Sequence, residues 1–189
     1  MLMIPQRYTL HGYSLLELLV VLAIAAIVAT AGLPAFNRTL ENAKTRADTR
    51  LLYMAFSSAH AHAIVHQRYT TICPLDEQSK CTNDWLKKIV VFEDLNDNRQ
   101  YDENERILQS IKAVEDPMVS RSYSRRAVTF SPTGDAWGFN GTLRYCFEHD
   151  YTFAASLIVY GSGRVRYGLD QDKNGIAEDG QGREITCTN

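Results

Sequence analysis

The sequence predicts an α+β chain: one long N-terminal α-helix, apolar at its start and amphipathic further on, packed on an antiparallel β-sheet head with two disulfides. Three observations predict it. Leu18 to Phe36 runs nineteen residues without a charge, and from Thr70 onward short β-rich runs alternate with turn residues. The four cysteines all lie in the second two-thirds of the chain and include no CxxC pair. At 189 residues, 45% hydrophobic and 22% charged, the chain has room for one core and an appendage, not two full domains. A net charge of −2 excludes a surface that is positive all over, so any nucleic-acid role needs a local patch.

Residues 1–12 form a short polar leader with Arg7 and His11. The apolar run in segment 13–36 is about as long as a helix needs to cross a bilayer. It flows into more helical sequence with no A-x-A site behind it, so it is expected to stay in the chain. Glu17 stands at its edge. An unpaired carboxylate in lipid is costly, so Glu17 either meets a partner or lies at headgroup level. Residues 37–66 continue the helix. Leu40, Ala43, Ala47, Leu51, Met54 and Ser58 recur at spacings of three and four and are expected to face the head. His62 and His66, four apart, can share a metal on one helical face; with no carboxylate or cysteine nearby in sequence they read as structural or solvated.

Residues 67–189 make the head, with strands expected at 70–73, 89–92, 106–111, 127–130, 142–147, 156–160 and 164–167. Four cysteines allow three pairings. Short loop closure favours Cys73 with Cys81, leaving Cys146 to tie Cys187 to the body. Disulfides imply an oxidising compartment.

Two acidic stretches fit a calcium-loop template in part. Asp94, Asn96, Asn98, Asp102 and Glu105 fall at positions one, three, five, nine and twelve, but Arg99 sits where the template wants glycine. Asp170, Asp172, Asn174, Gly175 and Glu178 keep the glycine but put Gln181 where a bidentate glutamate belongs. Either stretch reads equally as a solvated Asx-rich turn. Calcium is the one cofactor these residues suggest. No nucleophile elbow, HExxH, phosphate loop or catalytic carboxylate pair occurs, so no catalytic activity is expected.

The run Gly12-Tyr13-Ser14-Leu15-Leu16-Glu17-Leu18-Leu19-Val20 resembles the prepilin signature of type IV pilins and type II secretion pseudopilins. The resemblance implies cleavage by a membrane prepilin peptidase after Gly12 and N-methylation of Tyr13. It also implies that Glu17, then the fifth residue, neutralises a neighbouring subunit's free amine during assembly, and that Pro34 lies where pilin helices kink. In the head, Thr71-Ile72-Cys73-Pro74, Asp84-Trp85, Ile89-Val90-Val91-Phe92, Val128-Thr129-Phe130-Ser131-Pro132, Gly141-Thr142-Leu143-Arg144-Tyr145-Cys146 and Gly163-Arg164-Val165-Arg166 occur in an order that resembles the GspH/FimT branch. That branch implies a type IV pilin-like fold, a single pass through the bacterial inner membrane with a periplasmic head, and later incorporation into a pilus or pseudopilus beside other minor and major pilins or pseudopilins.

Assembly or tip formation is thus the expected function. The alternative is capture of double-stranded DNA for natural transformation, because the GRVR run matches a C-terminal motif of some relatives. Arg164 and Arg166, alternate residues of an extended segment, present two guanidiniums on one side, and Gly163 lets the backbone approach. Arg121, Arg125 and Arg126 complete the patch: residues 120–166 carry six arginines against three acids. Residues 167–189 oppose it with five acids against two bases. The competing reading of GRVR is a strand edge with solvated arginines.

Overall fold

The computed structural model describes residues 13–147, 150–174 and 176–187, with side chains at 31–35, 37–38 and 150–153 left aside. Gly12 lies outside the described residues. The chain forms two compact units, residues 1–40 and 41–189.

Helix α1, Leu15–His66, is the longest element. Ser14 caps it: its Oγ accepts the Glu17 backbone N–H at 3.2 Å, the S-x-x-E arrangement that satisfies an otherwise unpaired donor of the first turn. The backbone stays helical through Pro34. Among the described residues no helix is long and apolar enough to cross a membrane. The apolar run expected to span one, Leu18 to Phe36, includes positions outside that description.

Among the described residues the head holds eight strands: β1 Thr70–Pro74, β2 Ile89–Glu93, β3 Ile107–Ile111, β4 Val119–Ser122, β5 Val128–Phe130, β6 Gly141–Phe147, β7 Asp150–Val159 and β8 Val165–Tyr167. They form two antiparallel four-stranded sheets, ordered β3-β2-β1-β5 and β4-β6-β7-β8. Strand β4 was not expected from the sequence, and β7 begins six residues earlier than the expected 156–160 segment.

The main core joins the C-terminal half of α1 to both sheets. Leu52, Ala55, Phe56, Ala59 and Ala63 meet Ile72, Ile89, Val91, Val128 and Phe130 of the first sheet and Leu143, Tyr145, Leu157 and Val159 of the second. Alternation along the strands sends Cys73, Val90 and Phe92 to the opposite face, where they pack with Cys81 and Ala127 in a smaller cluster. β1 is therefore buried at every position.

The inward face of α1 differs from the one expected. Leu40, Leu51 and Met54 are about half exposed, and Ala43, Ala47 and Ser58 are exposed too. The buried line is Thr45, Thr49, Leu52, Phe56, Ala59 and Ala63. Both lines have helical spacing, so periodicity does not choose between them. Ala55, Ala59 and Ala63 bring the helix backbone close to the sheets, while Phe56 fills the space beside Trp85 at a ring separation of 6.2 Å.

Candidate functional site

Among the described residues, those that carry chemistry fall in several separate places. At the N-terminus, Tyr13 is 85% exposed, and Leu15, Leu16, Leu18, Leu19, Val20, Val21 and Leu22 are each at least half exposed. Glu17 is the acid of that first turn, carried on an otherwise apolar surface. Such a surface requires lipid or other helices around it.

At the β7–β8 turn, Tyr160 organises the GRVR run. The guanidiniums of Arg164 and Arg166 lie over its ring at 4.7 and 5.5 Å, and Arg166 Nε donates to its hydroxyl. The structure thus brings both arginines to one aromatic platform. Beside it a cleft of about 490 Å³ is lined by Tyr160, Arg125, Arg144 and Arg183. Gly163 is buried, with φ +77°, and is tied to the fold by contact with Gly134 and His60.

Arg121 leaves the basic patch that the sequence suggested. It is 6% exposed on β4, and its guanidinium donates to the carbonyls of Trp85 and Lys87. Burial lowers its pKa to about 10, so it remains a cation that ties β4 to the loop between β1 and β2. Arg125 and Arg126 stay exposed.

His62 has beside it a carboxylate that is distant in sequence. Its Nε2 lies 3.3 Å from Glu93 of β2, its Nδ1 lies 3.2 Å from Thr70 Oγ1, and its ring stacks on His66 at 4.2 Å. Sequence could not show Glu93, which antiparallel pairing of β1 with β2 brings opposite Thr70.

The disulfides join Cys73 to Cys81 and Cys146 to Cys187. The first acidic loop closes on its own donors. Asp94, 2% exposed, accepts from Thr71 Oγ1, Asn98 N and Arg99 N. Glu105 accepts from Leu95 N and Asp102 N, and Asp102 accepts from the side chains of Asn96, Asn98 and Lys80. In the second loop Asp170, Asp172 and Glu178 converge.

A capped helix with a bare apolar start, continuing into the core of a disulfide-bonded antiparallel head, defines a membrane-anchored filament subunit of the pilin class. Residues 48–163 match the family described as type II transport protein GspH, and residues 11–33 match the prokaryotic N-terminal methylation motif. The chain belongs to the GspH family, as a minor pilin or pseudopilin of the GspH/FimT type. Its members are structural proteins that assemble with other pilins. The fold is similar to that of the type IV minor pilin FimU of Pseudomonas aeruginosa in two crystal forms. One has a TM-score of 0.56 at 15% identity, covering 68% of this chain and 91% of that one; the other has 0.53 at 15%, covering 66% and 92%. No curated protein matches the chain.

Proposed function

We propose that this protein is a minor subunit that promotes assembly of a type IV pilus or a type II secretion pseudopilus, or forms its tip. It would be held by a single pass in the bacterial inner membrane with its head in the periplasm, after prepilin peptidase has cut behind Gly12 and Tyr13 has been N-methylated. The observation that carries this reading is the exposed apolar first half of α1 with Glu17 in its opening turn. Burying that surface among neighbouring helices is favourable, and a carboxylate there pairs best with a free α-amine brought into the same dry environment. The second exposed line on α1, Leu40, Leu51 and Met54, gives the lower helix a further apolar face for neighbouring subunits. The test is to express Glu17→Ala in the host and measure its content in sheared filaments. Loss from filaments with normal membrane levels supports the reading; wild-type incorporation removes it.

A second reading, capture of double-stranded DNA, is favoured by one observation: Arg164 and Arg166 share the Tyr160 ring next to the arginine-lined cleft. These guanidiniums suit phosphates, and their contribution is to affinity, not base reading. Titration of duplex DNA with the full chain in detergent at two salt concentrations tests it. Salt-sensitive binding lost in the Arg164→Ala, Arg166→Ala double variant supports it; absence of binding at low salt removes it.

A further inference from the structure

We propose that the loop spanning residues 170–178 binds a calcium ion, closed by Glu178 at its ninth position. The sequence template places the closing acid at position twelve, where Gln181 stands, but the fold closes the loop sooner. One carboxylate oxygen from each of Asp170, Asp172 and Glu178 lies within 4.8 Å of the others, a spread that one calcium ion bridges, since oxygens on its opposite sides are about 5 Å apart.

Glu178 supplies the independent observation. It is 5% exposed, and its Oε1 accepts the Gln171 N–H at 2.9 Å, yet its buried Oε2 has no hydrogen-bond partner. A carboxylate oxygen held out of water without a donor, on a side chain that converges with two more carboxylates, is unfavourable until a cation joins them. The fold fixes it there. The Glu178 N–H donates to Leu169 O at 3.1 Å, and Ser156 Oγ of β7 donates to Glu178 O at 2.8 Å. A Cβ on Gly168 would come within 1.8 Å of Ser156 Oγ and 2.4 Å of Glu178 O, so only glycine lets the loop seat this tightly on β7.

Arg183, a neighbouring base, is committed to Asp179, to which it donates through two nitrogens at 3.0 and 2.8 Å. Asn174 folds the loop: its backbone N–H donates to Asp170 and Asp172, its side-chain Nδ2 donates to Asp172 and Glu184, and its Oδ1 accepts the Ile176 N–H. An all-oxygen set selects hard cations, and its irregular geometry suits calcium better than the octahedral demands of magnesium; a backbone carbonyl and water complete the shell. Loop 94–105 differs in kind, because protein N–H and O–H groups already satisfy its buried acids.

The test uses the full chain in detergent with calcium chloride as the only added ligand, read by calorimetry and by thermal melting. Wild type is expected to bind one ion with a Kd on the order of 10⁻⁴ to 10⁻³ M and to melt higher in calcium than in EDTA. Glu178→Gln weakens binding by about tenfold or more and loses the calcium-dependent rise, while in EDTA it melts no lower than wild type. Asp172→Asn, an exposed change, weakens binding without touching the buried packing. The proposal is overturned by absence of saturable binding, by an unchanged calcium response in Glu178→Gln, by loss of binding only in Asp102→Asn, or by magnesium acting as strongly as calcium.

Discussion

A Cβ placed on Gly163 would stand 1.8 Å from the carbonyl oxygen of Gly134. The glycine of the GRVR run is thus required by the fold: its φ of +77° and the close approach of a second turn both exclude a side chain. Gly163→Ala should lower stability by about 3 kcal/mol or more, seen as a depressed midpoint in chemical unfolding. A nucleic-acid assay on that variant would report unfolding, so the arginine changes are the informative ones.

Arg121→Met should cost about 2–4 kcal/mol, because the carbonyls of Trp85 and Lys87 lose their donor inside the head. The same variant should leave any DNA affinity of the folded protein unchanged. A fall in affinity without a fall in stability would return Arg121 to the surface patch.

The two disulfides differ in the chain they close, 8 residues against 41. Loop-closure entropy assigns about 2.5 kcal/mol to Cys73–Cys81 and about 4 kcal/mol to Cys146–Cys187. Paired serine replacements of Cys146 and Cys187 should therefore lower the melting temperature more than those of Cys73 and Cys81. The reverse order would show that packing in the small cluster around Cys73 outweighs chain entropy.

Stability should fall as pH drops below about 6.5 through His62. Burial lowers its pKa first and His66 adds to that, outweighing the opposing pull of Glu93, with Arg106 and Arg68 acting in the same sense as burial. The unfolded chain, at the ordinary imidazole value of 6.5, then takes up the proton more readily than the fold, so acid favours unfolding. Unfolding midpoints measured at pH 7.5 and 5.5 should converge in His62→Gln. An equal pH dependence in the variant would assign the effect to other groups.

The helix-then-strands order, most strand positions and the two acidic loops were legible because hydrophobic period and turn chemistry are local properties. Strand β4 was not, since its inward positions are Val119 and Arg121, and an arginine read from sequence marks a solvent face. The inward face of α1 was not legible, because Leu40, Leu51 and Met54 repeat at the same spacing as the buried Thr45, Thr49, Leu52 and Phe56. The contacts of His62 with Glu93 and of Glu178 with Ser156 depend on strand pairing and chain return, which no local pattern encodes.

Between Leu15 and Val28, ten large apolar side chains stand exposed on α1. At about 1.5–3 kcal/mol each, wetting them would cost about 15–30 kcal/mol, more than the whole folding stability of a typical domain of about 5–15 kcal/mol. A subunit cannot therefore travel to its place through the aqueous phase. For a subunit anchored in a bilayer as proposed above, the inexpensive path would be sideways, exchanging lipid tails for the flanks of adjacent helices one contact at a time. Recruitment on that reading would be a two-dimensional process, governed by lateral density in the bilayer rather than by concentration in solution.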